Sequence, residues 1–190
     1  NSAGYSLVTV PYGKTYDVVF SKSGYLFQSV YATVPDSVGY EKELKDITLL
    51  KVDVGRKIIL NSIFFDPTQP ILRKESVLEL QRVVKLMSEM ATLQVEISGH
   101  TDNVGAILYK KQVSEQKAKA VVDNLIVKGC DKNRMKYVGY GPAQPLTINF
   151  TEEGRQLNNR IELMVLTVDL AAEQIAEIKR MKEAILNPEK

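Results

Sequence analysis

The spacing of apolar residues along the chain changes character twice. From Tyr5 to Val54 they fall in short β-branched and aromatic runs: Tyr5 to Val10, Thr15 to Phe20, Ser29 to Val34 and Lys45 to Val54. Pro11 to Lys14, Ser23-Gly24 and Pro35-Asp36 separate them. Runs of this kind between turn formers predict the strands of a small antiparallel, sandwich-like unit. From Lys57 the period lengthens. Ile58 to Leu60 and Ile63 to Phe65 read as strand, Pro67 and Pro70 break the chain, and Ser76 offers an N-cap to a helix with its stripe at Val77, Leu80, Val83, Val84 and Met87. A strand at Leu93 to Ile97 leads into a polar loop. The next helix carries Val113, Ala118, Val121, Val122 and Leu125 and stops at Gly129. Strands at Met135 to Val138 and Ile161 to Val168 flank a long loop. This βαβαββ order predicts an α+β domain with helices on one face of a mixed sheet. The tail from Leu170 to Leu186 sets Ala171, Ile175, Ile178, Met181 and Ile185 against Glu173, Glu177, Lys179 and Lys182, the pattern of an amphipathic helix. Such a helix packs on its own domain or offers a stripe to a protein partner. Three segments follow: a β unit at 1–55, the α+β domain at 56–168, and the helix at 169–190.

The loop that follows the Leu93 to Ile97 strand, in the stretch Ile97 to Gly105 (ISGHTDNVG), puts polar and acidic residues where a buried strand hands over to a helix. Backbone N–H groups at such a junction suit an anion, and Asp102 supplies a fixed negative charge for a cation. A loop built this way can hold both halves of a zwitterion.

At 190 residues and 44% hydrophobic composition, the chain buries one sizeable core and at most a second small one. The net charge of +2, from 25 basic and 23 acidic side chains, provides no strong field for nucleic acid. Cys130 has no cysteine partner within the chain, so it forms no internal disulfide and reads as a small buried residue. No apolar run reaches the roughly 18 residues of a membrane-spanning helix. The single histidine, His100, lacks the companions a zinc site needs, so neither a metal nor a cofactor is expected. Ser98, His100 and Asp102 lie too close in sequence to fold into a hydrolase triad, and no GxSxG elbow is present. Binding without catalysis is the expectation.

The segments IFFD, GHTDNVG, VSEQKAKAVVDNL, GYGPAQP and NFTEEGRQLNNRIEL, taken together, resemble the OmpA-like C-terminal domain shared by peptidoglycan-associated lipoproteins and flagellar motor stator proteins. The resemblance covers roughly Ile58 to Leu166. It implies a periplasmic, outer-membrane-associated module that binds the peptide stem of peptidoglycan, usually at its diamino acid, and anchors an envelope protein to the wall. Export is implied as well, so a chain that starts at Asn1 without a leader reads as a fragment of a longer protein whose missing parts reach the outer membrane. Residues 10–27, VPYGKTYDVVFSKSGYLF, resemble carboxypeptidase-regulatory-like repeats.

The resemblance assigns the ligand's ammonium to Asp102 and its carboxylate to an Arg in the helical pattern LS..RA. Here that pattern reads Val113-Ser114-Glu115-Gln116-Lys117-Ala118, so Lys117 replaces the Arg. A lysine is a compact point charge without the bidentate fork, which implies weaker or less selective binding. The pair still complements the free end of diaminopimelate, with backbone donors expected from Thr101 to Gly105, Asn103 among them. Two charge-assisted contacts and those donors would reach an affinity on the order of micromolar. Phe65, Asp66 and Thr68 would border the loop. Arg160 is expected to pair with a carboxylate beneath it or to touch the ligand, while Asn159 replaces the first Arg of the family's NRR and removes one charge. The alternative is that Asp102 only caps the next helix and Lys117 is a solvated charge. The domain would then be an assembly module with weak or lost wall binding that contacts other envelope proteins.

Overall fold

The computed structural model describes residues 8–36, 46–67 and 69–169, together with Ala171, Ala172 and Ile175. The N-terminal strands β1 (Lys14–Phe20) and β2 (Gln28–Val34) form an antiparallel hairpin with Val18 opposite Val30. Two of the expected N-terminal strands are not found in that form. Tyr5 to Leu7 lie outside the described residues, and Val8 to Val10 are not strand. Residues 46–54 make only an isolated bridge from Lys51 to Tyr25, backed by Leu26 N–H to Leu50 O and Val52 N–H to Gly24 O. This segment crosses the hairpin's exit once and departs, too briefly for a ladder.

The second sheet has four strands in the order β3-β6-β4-β5. β3 (Lys57–Ile59) and β4 (Gln94–His100) each pair antiparallel with β6 (Ile161–Thr167), and β4 runs parallel to β5 (Met135–Gly141). Helices α1 (Val77–Glu89) and α2 (Ile107–Val127) pack on this mixed sheet, so the chain is α+β. The long loop before β6 contains a short helix, α3 (Glu152–Asn158), capped by Thr151, whose hydroxyl accepts from Gly154 N–H at 3.1 Å. The observed order is therefore βαβαβαβ after the hairpin. Ile63 to Phe65 is not a strand; Phe65 forms one bridge to Leu72. Of the expected tail helix, Ala171, Ala172 and Ile175 are helical and the rest lies outside the described residues.

Leu80, Val83, Leu86 and Met87 of α1, Ala118, Val121, Val122 and Leu125 of α2, and Val95, Ile97, Leu163 and Val165 of the central strands form one buried cluster. Leu26, Phe27 and Val52 belong to the same cluster. The hairpin is also held by Arg82 of α1, whose Nη2 donates to Asp17 Oδ2 at 2.8 Å and whose Nη1 pairs with Glu79. Ser76 does not cap α1. It is fully buried, and its hydroxyl accepts from Phe64 N–H at 2.8 Å and donates to Phe64 O at 3.0 Å, stapling the segment ahead of the helix. Arg134 donates to the carbonyls of Met87, Met90 and Leu93, satisfying acceptors left over where α1 ends.

β4 runs to His100, three residues beyond the expected end at Ile97. In a strand alternate residues face opposite sides. Val95, Ile97 and Gly99 thus face α2, where a Cβ on Gly99 would stand 2.1 Å from Ser114 O. Glu96, Ser98 and His100 face the other side. The close approach of α2 to β4 carries the loop after His100 and the middle of α2 to the same end of the sheet.

Candidate functional site

At that end, Thr101 N–H donates to Gly141 O at 3.0 Å, and Gly141 N–H donates to Ser114 Oγ at 2.9 Å. Gly141 has φ +56°, and a Cβ there would stand 3.0 Å from the Lys111 backbone, so glycine alone closes this corner. The loop is thereby fixed to β5 and α2.

Asp102 is largely buried and accepts three hydrogen bonds. Lys110 Nζ donates to Oδ1 at 2.7 Å, Val104 N–H donates to Oδ1 at 2.9 Å, and Asn159 Nδ2 donates to Oδ2 at 2.6 Å. Asn159 Oδ1 in turn accepts from Asp102 N–H at 3.2 Å. Burial pushes the Asp102 carboxyl up, but the bonds from Lys110, Asn159 and Val104 outweigh it and hold it below the usual carboxylate range. Asp102 does not cap α2, which begins at Ile107 with Ala106 as N-cap and no side-chain bond.

Lys117 is half-buried, with Nζ 5.2 Å from the centre of the Phe65 ring. Burial pushes its ammonium pKa down, Lys110 adds to this and Asp102 opposes it. Lys117 is therefore no freely solvated charge. It lines a cavity of about 180 Å³ together with Phe65, Ile63, Asn61, His100, Gln156, Leu157, Asn159 and Arg160. Asp102 itself does not line this cavity; it is joined to the lining through its hydrogen bond from Asn159.

The other expected residues divide between this cavity and its surroundings. Arg160 lines the cavity and is tied down: Nε donates to Glu162 Oε1 at 2.7 Å, with weaker bonds to Asn158 O and Gln144 O. Thr101 is buried, and its Oγ1 has no hydrogen-bond partner among the described residues. Asn103 and Gly105 are exposed within the loop. Asp66 accepts from Gln69 N–H at 3.2 Å and does not line the cavity; Thr68 lies outside the described residues. The expectation of open backbone donors is overturned at Thr101, Asp102 and Val104, whose N–H groups are already bonded within the chain. His100 sits in the strand rather than the loop, stacked on Tyr140 at 5.3 Å and 3.3 Å from Ser98 Oγ.

Sequence reasoning missed Lys110, whose role depends on a spacing of eight residues across a loop and a helical turn. It also read Asn159 as a lost charge, whereas here it is a two-point partner of Asp102. Asn158, fully buried, bonds Leu146 N–H, Thr147 N–H, Thr147 O and Asn149 Oδ1, and so builds the wall behind the site. The NNR triplet is thus a structural frame with one face on the cavity.

The chain thus folds as a mixed-sheet α+β domain with an internal ion pair and a small cleft at one end of the sheet. The OmpA family model matches residues 64–159, and the chain belongs to that family. It is 33% identical over 102 residues to outer membrane porin F of Pseudomonas aeruginosa, covering 53% of this chain and 29% of that protein. It is 36% identical over 86 residues to the peptidoglycan-binding protein ArfA of Mycobacterium tuberculosis, covering 45% of this chain and 26% of that one. The chain spans about a third or less of the length of these relatives. The fold matches the periplasmic domain of Helicobacter pylori MotB with a TM-score of 0.54 at 22% identity, covering 70% of this chain and 89% of that domain. Porin F is an outer-membrane protein and the matched part of MotB is periplasmic, and the family is of a non-enzymatic kind.

Proposed function

We propose that this chain binds the peptide stem of peptidoglycan without chemistry, gripping the ammonium and carboxylate at the free end of diaminopimelate, and so tethers an outer-membrane-associated protein of the periplasm to the wall. The observation that carries this reading is a largely buried carboxylate held ionised, Asp102, bonded to Asn159 in the wall of the cleft that the half-buried Lys117 ammonium also lines. Asp102 is met within the chain by Lys110, whereas the Lys117 ammonium, half-buried over the Phe65 ring, is the charge that a ligand carboxylate would compensate. Relatedness to a peptidoglycan-binding protein supports the same assignment. In this reading Asp102 takes the ammonium, Lys117 the carboxylate, Phe65 the aliphatic chain, and Thr101, Asn103, Gly105 and Arg160 the flanking contacts. Residues 56–168 are then the binding domain, and the β hairpin ahead of them belongs to the end of a carboxypeptidase-regulatory-like unit; most of the segment 169–190, expected to offer a protein contact, lies outside the described residues.

Calorimetric titration with a diaminopimelate-bearing muropeptide tests this directly. Asp102→Ala should weaken binding about 100-fold, the loss of one or two charge-assisted bonds from a buried site. Equal affinities for the variant and the parent sink the assignment. Lys117→Arg should tighten binding several-fold, because the guanidinium fork holds a carboxylate by two parallel bonds. The second reading, an assembly module with weak wall binding, is favoured by one observation: Asp102 already holds an internal ammonium. It predicts no heat with muropeptide and a protein neighbour captured by crosslinking.

A further inference from the structure

We propose that Lys110 is a built-in occupant of the ammonium subsite, which the ligand must displace, and that it sets the affinity of this chain. The inference rests on the stem-peptide reading of the site and concerns its regulation.

Lys110 Nζ stands 2.7 Å from Asp102 Oδ1, where the ammonium of a diamino acid would have to lie. A carboxylate has about four lone-pair positions. Val104 N–H, Asn159 Nδ2 and Lys110 Nζ fill three of them, and only Lys110 brings a charge. The ion pair is sheltered, with side-chain exposures of 20% for Lys110 and 12% for Asp102. It is a contact of substance rather than a solvated surface pair. Lys110 belongs to the first turn of α2 and its stem passes Gly105, with Cε 3.7 Å from the position of a Cβ there. A four-carbon stem at a helix start can swing into water without any backbone change.

Lys110 mimics only half of the ligand. It brings an ammonium to Asp102 but no carboxylate to Lys117, which lies over Phe65 and makes no ion pair among the described residues. Incoming zwitterion would exchange the Lys110 ammonium for its own at Asp102, so the lysine subtracts from what that contact contributes, and would add a carboxylate at Lys117. A monovalent amine would keep only the diminished first contact. The internal lysine thus works as a filter that admits ligands carrying both charges and rejects simple cations.

The test is titration of the full chain and of its Lys110→Met and Lys110→Arg variants with a diaminopimelate-bearing muropeptide, with n-pentylamine as the amine-only probe. Lys110→Met removes the competitor while keeping the stem, so muropeptide binding should tighten about tenfold. Pentylamine, silent with the parent, should become measurable. Lys110→Arg, which grips Asp102 more firmly, should weaken muropeptide binding. If the parent binds and Lys110→Met binds no more tightly, the displacement idea is overturned while the wall-binding site stands. If none of the three proteins takes up muropeptide, the site reading itself falls and this inference with it. Urea midpoints for the variants establish that each is folded, and Lys110→Arg decides the matter if the methionine variant is not.

Discussion

Replacing Arg160 with methionine is expected to cost about 3 to 5 kcal/mol of stability, the penalty for breaking a buried ion pair and leaving one charge behind. The Arg160 and Glu162 side chains are each 6% exposed, and the guanidinium meets Oε1 at 2.6 and 2.7 Å. The same group holds Asn158 O and Gln144 O, tying the start of β6 to the loop before α3. Burial alone pushes the Glu162 carboxyl up, but His100 and Arg160 outweigh it and bring it down to about 2. His100 Nε2 stands 3.6 Å from Oε2, too far for a hydrogen bond, so the Arg160 contacts are the geometric basis of that depression. A folded-state value below the ordinary 4.5 means that the contribution is present above pH 4.5 and fades as pH falls toward 2. Urea denaturation at pH 7 and pH 3 reads both effects: the parent loses stability on acidification, and Arg160→Met starts low and loses less. Adding Glu162→Gln to the arginine variant should recover part of the loss, since the stranded charge goes with it. A single variant within about 1 kcal/mol of the parent at pH 7 would show that the pair is not a support of the fold.

The elements with a strong period were the ones the sequence disclosed. Leu80, Val83 and Met87 in α1, and Ala118, Val121, Val122 and Leu125 in α2, are buried where a 3.6-residue stripe puts them. Val77, on the same expected stripe, is 38% exposed at the first position of α1, although Glu79 and Leu80 of the same turn are fully buried. The end of β4 escaped notice because Ser98, Gly99 and His100 look like loop residues. Each serves the strand: Gly99 for helix contact, Ser98 and His100 for the buried polar face opposite. α3 was hidden for a different reason. Its seven residues carry one large apolar side chain, Leu157, and that one is 59% exposed, so no stripe exists to be read. Of the site, the acidic loop and Lys117 were legible as residue types in a known pattern. Lys110 was not, since nothing in a one-dimensional spacing tells which of Lys110 and Lys111 bends back to Asp102. Asn159 was judged by the charge it lacks rather than the two bonds an amide makes.

Gly99→Ala is expected to destabilise the chain by about 3 kcal/mol, against the usual sign for removing a glycine. In ordinary extended backbone, alanine stabilises by about 0.4 to 1 kcal/mol through the unfolded chain. Here the new Cβ would stand 2.1 Å from Ser114 O and 2.8 Å from Ser114 C, both backbone atoms of α2. No rotamer relieves that contact, so the helix has to lift from β4. Ser114 also receives Gly141 N–H and donates to Lys111 O, which makes it the joint between α2, β5 and the loop. Lifting it moves Lys117, one turn along, away from Asp102, three residues past the substitution. The urea midpoint should therefore fall, and the folded fraction should bind muropeptide more weakly even at saturating protein stability, for instance in sucrose. Gly139→Ala, whose Cβ would lie 2.4 Å from Glu115 N, should reproduce the loss of stability from the neighbouring strand. A midpoint for Gly99→Ala equal to or above that of the parent would mean that α2 does not rest on β4 this closely, and the convergence of the two charges would lose its structural cause.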